Sequence, residues 1–257
     1  MVIAASIVDN ARSIDIMSIT SLVVMFYTAA ANILNDILDY RIDIINRPNR
    51  PIPSGQIKLL PAFILSFLTF LIGALLCLRL NSNAQLIGII IAIPVMVSYN
   101  TYLKGKYLFG NIAVAFTIGL SFLFSGAAHD QLQKMYVPAF LAFGLTLIRE
   151  IVKDIADIKG DSSVGLKTYP IYAGKKNASK LVIGLIVILG FGALDPYFRG
   201  IYGFSYLFIL IIGVHIPLLA VVALLIKNTG NEAVNLSSKI LKLSTFMGLI
   251  AIYFGQQ

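Results

Sequence analysis

Charged residues are scarce in this chain, where Asp, Glu, Lys and Arg together make up 12% of 257 residues. Soluble globular domains carry about 25%, and 58% of this sequence is hydrophobic. This composition excludes an ordinary soluble protein and predicts an integral membrane protein. No stretch of the chain is polar enough to form a separate soluble domain.

Cysteine and histidine are also rare. Cys77 is the only cysteine, which excludes a disulfide framework and a thiolate metal cluster, and we expect it to be a packing residue. The two histidines, His129 and His215, lie far from the acidic clusters described below, and we expect both to be structural. A metal site in this protein must therefore use oxygen ligands.

Apolar segments recur along the whole chain at roughly the 20 residues needed to cross a hydrocarbon core of about 30 Å. The sequence predicts an all-α fold, a polytopic transmembrane helix bundle in the cell membrane. Residues 1–8, "MVIAASIV", are too short to cross and lack the basic segment of a signal peptide, so we expect them to end a helix whose beginning is missing. The eight predicted spans are 16–38, 59–80, 84–101, 109–128, 136–158, 179–195, 204–226 and 239–254.

The net charge of +8 comes from an uneven distribution of Lys and Arg between loops. Sixteen of the twenty lie in or beside the alternate segments 40–58, 102–107, 149–180 and 227–242. By the positive-inside rule these segments face the cytoplasm. Because topology accounts for the basic charge, no nucleic-acid partner is expected.

Six of the twelve acidic residues form two triplets of identical spacing, and the second begins 118 residues after the first. Positions i, i+3 and i+7 of a helix fall within an arc of about 60°, so each triplet is predicted to lie on one helix face. Asn32 and Glu150, four residues before each first aspartate, share those faces. The triplets are Asp36, Asp39, Asp43 and Asp154, Asp157, Asp161.

The similarity between the two regions continues beyond the aspartates. The segment "RPIPSG" at 50–55 is similar to "YPIYAG" at 169–174, and each precedes the next span. We interpret the chain as a single domain, 1–257, with an internal pseudo-repeat of about 16–128 and 136–254. Each acidic helix is predicted to end soon after its triplet, at Pro48, Pro51 and Pro53 in one half and at Gly160 with Pro170 in the other.

The energetic cost of these carboxylates indicates a cationic partner. One carboxylate at mid-bilayer costs roughly 2.5 to 3.5 kcal/mol, and three on one face repel one another. Hard oxygen ligands without cysteine or histidine suit Mg²⁺, which is held by a few carboxylates together with substrate phosphates. The alternative is that the aspartates end helices in the headgroup region and pair with nearby Lys and Arg, but two triplets of the same spacing favour a metal-binding role.

The two motifs give the sequence a resemblance to the UbiA-type intramembrane prenyltransferases, which carry N-D-x-x-D-x-x-x-D and D-x-x-D-x-x-x-D. Here the first begins at Asn35 and the second at Asp154. The resemblance implies nine transmembrane helices around a central cavity, with both motifs at its cytoplasmic end. This chain offers about eight full spans and a short N-terminal remnant.

Within the family, "DYRIDIINRPNRPIPSG" and "REIVKDIADIKGD" are most similar to the branch that makes archaeal ether lipids. That resemblance implies Mg²⁺-dependent transfer of a geranylgeranyl group from geranylgeranyl diphosphate to the free hydroxyl of geranylgeranylglyceryl phosphate. The alternative within the family is an aromatic acceptor such as 4-hydroxybenzoate, a naphthoate or a chlorin. The expected partners are a prenyl diphosphate donor, a lipid or aromatic acceptor, and membrane lipids.

The resemblance also assigns roles to particular residues. All six aspartates are expected to hold Mg²⁺, with Asp36, Asp39, Asp154 and Asp157 the strongest candidates, and Asn32 and Asn35 could orient a ligand or stabilise charge near C1. Cationic side chains in the basic loops could bind the diphosphate, although they could also serve only to fix topology. These are Arg47, Arg50, Lys104, Lys106 and Lys153.

Proteins of other classes also use aspartates in membranes. A carboxylate-based secondary transporter predicts acidic residues near mid-span, whereas these lie at helix ends beside basic loops. A CDP-alcohol phosphotransferase requires an Asp-Gly motif that is absent from both clusters. A purely structural membrane protein needs neither triplet.

Overall fold

The computed structural model describes residues 14–227 and 230–255, except for the side chain of Asn46. Eight of its helices are long and apolar enough to cross a membrane, so the predicted all-α, multi-pass architecture is confirmed. The N-terminal remnant proposed for residues 1–8 lies outside the described residues. The helices are α1 Ile14–Leu38, α2 Tyr40–Asn46, α3 Leu59–Cys77, α4 Ser82–Leu103, α5 Phe109–Ala128, α6 Tyr136–Ser163, α7 Tyr169–Phe198, α8 Phe204–Lys227 and α9 Asn231–Gly255.

Helix α3 buries only a narrow stripe of small residues. The buried positions Ala62, Ser66, Thr69, Gly73 and Cys77 recur every three or four residues. Large apolar side chains cover the rest of the helix and are exposed, as Leu60 (68%) and Phe67 (59%) illustrate. A helix that is apolar on all faces is stable only where hydrocarbon, not water, covers its outward side.

The described chain forms two compact units. The first comprises residues 14–104 and 123–132, and the second comprises 105–122 and 133–255. In the first unit α1 packs against α3, where Ser66 Oγ donates a hydrogen bond to the carbonyl of Ala30 at 2.9 Å. In the second, α6 packs against α7 and α9, and α8 packs against α9. The single domain and the pseudo-repeat remain predictions.

The two acidic helix ends differ, and α6 ends soon after its triplet, as predicted, but the break expected at Gly160 is wrong. Helix α6 passes through Gly160 without a break and ends at Ser163, because one glycine in a helix costs only about 1 kcal/mol. The helix ends where Gly165 takes φ +76°, and the N–H of Leu166 donates to the carbonyl of Asp161 at 3.0 Å. This is a Schellman ending, so the second triplet lies entirely within one helix.

The first triplet instead lies across an interruption. Helix α1 ends at Leu38 and α2 begins at Tyr40, with Asp39 between them at φ −80° and ψ −2°. Helix α2 ends at Asn46, ahead of Pro48, as predicted. A turn over residues 50–57 follows, held by the N–H of Ser54 donating to the carbonyl of Arg50 at 2.9 Å.

Two other helices begin earlier than the sequence predicted. Helix α9 starts at Asn231, not at 239, because Val234, Ser237 and Leu241 are buried at helical spacing within a polar stretch. Helix α7 starts at Tyr169, not at 179, although Gly174 at φ +80° and ψ 157° interrupts it. Hydropathy alone underestimates helices that extend beyond the apolar core of the bilayer.

A two-residue parallel pairing joins the ends of two loops in the second unit. Strand β1, Lys106–Tyr107, pairs with β2, Lys167–Thr168, and the N–H of Lys167 donates to the carbonyl of Gly105 at 2.7 Å. The ring of Tyr107 meets that of Tyr172 edge to face at 5.2 Å between centroids. This strand pair fixes the start of α5 to the segment that follows α6.

Close helix contact at Gly213 gives a testable prediction of stability. A Cβ built at Gly213 lies 2.5 Å from the Cβ of Met247 on α9, which is too close for either backbone to accommodate without moving. We expect Gly213→Ala to destabilise the protein by about 1 to 3 kcal/mol. Thermal unfolding in detergent, followed by circular dichroism, measures the change.

Gly184 on α7 provides the matched control, because a Cβ there meets no atom within 4 Å. Gly184→Ala is expected to be neutral or stabilising by up to about 1 kcal/mol, since alanine favours the helix. Equal loss of stability in both variants contradicts the prediction.

Candidate active site

Arg50 brings two aspartates of the first triplet together. Its Nη1 donates to Asp36 Oδ1 at 2.9 Å and to Asp43 Oδ2 at 2.7 Å. The turn after α2 returns Arg50 to the acidic face, and Ile52, buried two residues later, anchors this turn. Asp36 and Asp43 therefore share one face of the helical segment, as the spacing predicted, and one positive charge lies between them.

Lys104, at the end of α4, pairs with the third aspartate of this triplet. Its ammonium group forms an ion pair with Asp39 Oδ2 and donates to Asn35 Oδ1 at 2.7 Å. Asn35 Nδ2 in turn donates to Asp39 Oδ2 at 3.0 Å. Three carboxylates thus meet two cations, which leaves one net negative charge in this cluster.

The second triplet has a different environment. Asn111 Nδ2, in the first turn of α5, donates to Asp154 Oδ2 at 2.8 Å. Asp154 and Asp161 are half-buried, whereas Asp157 is exposed. The buried residues Ile151 and Ile155 pack this segment of α6 into the second unit, so the helix face that carries the carboxylates has a rigid support.

Cations near the start of this triplet pair with Glu150. Arg149 Nη1 donates to Glu150 Oε1 at 2.9 Å, and Lys153 Nζ donates to Oε2 at 3.0 Å. Glu150 lies four residues before Asp154, on the face that the spacing predicted. Lys153, a predicted diphosphate ligand, is thus engaged by Glu150 and not by an aspartate of the triplet in this structure.

The remaining predicted residues are exposed and lie apart from these contacts. Arg47 ends α2, where its backbone N–H donates to the carbonyl of Asp43 at 2.8 Å. Lys106 is exposed on β1, and Asn32 is exposed on α1. The structure therefore joins Asn35, Arg50 and Lys104 to the first triplet and gives no contact that would assign a role to Asn32, Arg47 or Lys106.

The chemistry of the six aspartates fits Mg²⁺, although their side chains do not form a preorganised metal site in the described chain. Within 14–227 and 230–255, no three carboxylate, imidazole or thiol groups converge as metal ligands do. All six aspartates nevertheless supply hard oxygen ligands, which Mg²⁺ prefers. The Arg50 guanidinium already lies between Asp36 and Asp43 and forms ion pairs with both carboxylates. Asp154 instead accepts a hydrogen bond from a neutral amide.

Asn111 contacts the second triplet, although the sequence did not indicate it as a site residue. It is 7% exposed, and it follows "KYLFG" at the beginning of an apolar span. A lone amide at that position is an ordinary polar residue near a helix start. Only the packing of α5 beside α6 shows that it faces an aspartate.

Comparison with known proteins places the chain in a family. A model described as the UbiA prenyltransferase family matches residues 1–246. The chain is similar to digeranylgeranylglyceryl phosphate synthase from Methanobrevibacter smithii, with 36% identity over 255 residues that cover 95% of this chain and 89% of that protein.

Solved structures show the same relationship. One, described as giving insights into the biosynthesis of digeranylgeranylglyceryl phosphate synthase in membranes, matches with a TM-score of 0.88 and 32% identity over 99% of this chain and 91% of that chain. A UbiA homolog from Archaeoglobus fulgidus bound to GPP and Mg²⁺ matches with a TM-score of 0.62 and 16% identity over 97% and 93% of the two chains, which is a likeness of fold alone. The resemblance drawn from the two aspartate motifs is confirmed, and the chain belongs to the UbiA prenyltransferase family.

Proposed function

We propose that this protein transfers a geranylgeranyl group from geranylgeranyl diphosphate to the free hydroxyl of geranylgeranylglyceryl phosphate. The observation that carries the proposal is the 36% identity, over 95% of the chain, to a relative named digeranylgeranylglyceryl phosphate synthase. Relatives of that name from Methanosarcina mazei and Saccharolobus solfataricus are 36% and 37% identical over 91% and 92% of the chain.

The proposed reaction exchanges one carbon–oxygen bond for another. The bond between C1 of the donor and the bridging oxygen breaks, and diphosphate leaves with the electron pair. The acceptor oxygen then bonds to C1 as an ether, and its proton passes to a carboxylate or to a diphosphate oxygen. The main obstacle is the negative charge that develops on the leaving group, so catalysis requires cations near it.

Two cations that pair with the first triplet, Arg50 and Lys104, supply fixed positive charge that can stabilise the leaving group. Arg50 is held by Asp36 and Asp43, and Lys104 is held by Asp39 and Asn35. Guanidinium and ammonium groups bind phosphate oxygens well, and their carboxylate partners restrict their motion before a donor arrives. Arg47, Lys106 and Lys153 are proposed as additional diphosphate contacts on the basis of their charge and their positions in the chain.

Mg²⁺ is the proposed cofactor, with Asp36, Asp39 and Asp43 in one group and Asp154, Asp157 and Asp161 in the other as its ligands. When bound, Mg²⁺ neutralises the departing diphosphate and holds it in place. Asp43 is buried and Asp154 is half-buried, so neither charge is fully solvated. Both triplets are proposed to serve the same reaction.

We further propose that the aspartate-bearing helix ends are on the cytoplasmic side of the cell membrane. The basic residues of segments 40–58 and 149–180 support this orientation, because cytoplasmic loops carry an excess of Lys and Arg. The apolar spans α1 and α3–α9 shelter the prenyl chain and keep water from the allylic cation.

The test is prenyl transfer by the purified protein in detergent. Labelled geranylgeranyl diphosphate and Mg²⁺ are supplied with geranylgeranylglyceryl phosphate in one reaction and 4-hydroxybenzoate in another. We expect a doubly prenylated glycerol phosphate in the first reaction only. We expect EDTA to abolish formation of this product and added Mg²⁺ to restore it. The Asp36→Ala variant is also expected to form no product.

The results with the two acceptors and with EDTA show which part of the proposal is wrong. A product from 4-hydroxybenzoate alone retains the prenyltransferase and overturns the proposed acceptor. Transfer that persists in EDTA overturns the proposed role of the metal. Metal-dependent binding without transfer to either acceptor overturns the proposed reaction.

A further inference from the structure

Asn111 is a buried amide in contact with an aspartate of the second triplet, and the proposed mechanism gives it no role. Its Nδ2 donates to Asp154 Oδ2 at 2.8 Å, and the residue is 7% exposed. Both residues belong to the second compact unit. The contact joins residues 43 positions apart on two consecutive helices, so it depends on how α5 and α6 are packed.

Two further contacts hold α5 in the position that this bond requires. The strand pair β1–β2 ties the residues just before α5 to those just after α6. Farther along α5, a Cβ built at Gly119 lies 3.0 Å from the carbonyl oxygen of Ala139 on α6, so the two backbones approach closely. Asn111 lies between these two anchor points in sequence, and its amide has little freedom to move away from Asp154.

The chemistry of this contact differs from that in the first triplet. Arg50 and Lys104 are cations and offset the charges of the aspartates that they touch. The Asn111 amide is neutral, so it fixes one carboxylate oxygen of Asp154 without placing a positive charge beside it. A carboxylate held in this way presents its second oxygen in a defined direction, which is how partners outside the ligand shell orient metal ligands.

We propose that Asn111 is a positioning residue that orients the Asp154 carboxylate toward a divalent cation. The proposal rests on the proposed function for its catalytic meaning, but the orientation itself is measurable without a substrate. Asn111 need not touch the metal or the prenyl diphosphate. It acts through Asp154, so removal of its amide weakens cation binding and leaves the fold intact.

Binding of Mn²⁺ by the purified full-length protein, measured by electron paramagnetic resonance without any prenyl diphosphate, tests the proposal. The quantity compared between variants is the bound Mn²⁺ that is lost when Asp154 is replaced by Asn. We expect Asn111→Leu, which is close in size but has no donor, to weaken that binding about 10- to 100-fold. Asn111→Ala, which adds no bulk, is expected to give the same result if the leucine variant does not fold.

Thr117→Val is the matched control on the same helix. Its hydroxyl donates to the carbonyl of Ala113 at 2.8 Å, so the substitution removes a side-chain hydrogen bond that no aspartate receives. Mn²⁺ binding is expected to be unchanged in this variant, and its melting temperature should fall no less than that of Asn111→Leu. In the Asp154→Asn background, Asn111→Leu should have no further effect on Mn²⁺.

Each outcome supports or overturns the proposal separately from the reaction. Unchanged Mn²⁺ binding in Asn111→Leu overturns it, and so does an equal loss in Thr117→Val or in the Asp154→Asn background. If the wild-type protein transfers no prenyl group but its Mn²⁺ binding depends on Asn111, the proposed reaction fails and the positioning role stands. If the protein makes the ether lipid and Asn111→Leu binds Mn²⁺ normally, only the positioning role fails.

Discussion

Asp154→Asn is expected to lower the rate of prenyl transfer by about 10³-fold, which corresponds to about 4 kcal/mol of lost transition-state stabilisation. The substitution keeps the size of the side chain and removes its negative charge. The hydrogen bond that Asp154 accepts comes from the neutral amide of Asn111. Single-turnover transfer of labelled geranylgeranyl groups at saturating donor measures the effect on the chemical step.

Asp195→Asn is the matched control for this substitution. Asp195 is also near a helix end of the second unit, but it is half exposed and pairs with Arg199 at 2.7 Å. Its substitution is expected to change the transfer rate less than about 2-fold, because exposed ion pairs contribute little. A small effect of Asp154→Asn, or an equal effect of Asp195→Asn, contradicts the assignment of Asp154 to the reaction.

Arg50→Ala is expected to reduce the free energy of unfolding by about 2 kcal/mol. The substitution leaves the buried carboxylate of Asp43 without its cationic partner, and loss of one partner of a fully buried pair costs about 3 to 5 kcal/mol. The smaller figure applies here because the Arg50 side chain is 32% exposed. Denaturation in mixed micelles, followed by circular dichroism, measures the change.

Two comparisons show whether the loss comes from the carboxylates. Arg47→Ala removes a neighbouring, exposed arginine and is expected to cost less than about 0.5 kcal/mol. Asp43→Asn, introduced together with Arg50→Ala, removes the uncompensated charge and is expected to recover about half of the lost stability. An effect of Arg47→Ala as large as that of Arg50→Ala, or no recovery in the double variant, refutes this explanation.

These predictions follow from a difference between the two triplets that their identical spacing conceals. The first triplet includes a helix interruption at Asp39, and two cations in the same unit offset most of its charge. The second triplet lies on one continuous helix, with a neutral amide on its first aspartate. Cation binding at the first triplet therefore has to accommodate Arg50 and Lys104, whereas Asp154 accepts its hydrogen bond from a neutral amide.

The sequence predicted the transmembrane spans but did not predict which aspartates pair with Arg50 and Lys104. The apolar spans were predicted well because about 20 apolar residues must be helical in a bilayer, where each backbone N–H and C=O needs a partner within the segment. Helix α9 was predicted to begin eight residues too late, because its first turns combine buried and polar residues. The first triplet was recognised as a cation-binding cluster, but Arg50 and Lys104 could not be assigned to particular aspartates from their positions in the chain.

The sequence by itself determined the class of the protein and the number of apolar spans, and it predicted which residues bind a cation. Each of these depends on composition and on spacing within one helix, which local chemistry decides. Only the tertiary structure decided that Asp36 and Asp43 share Arg50, that Asp39 pairs with Lys104 and that Asn111 bonds to Asp154. Those contacts join residues up to 65 positions apart, and they form only when packing brings separate segments within hydrogen-bond distance.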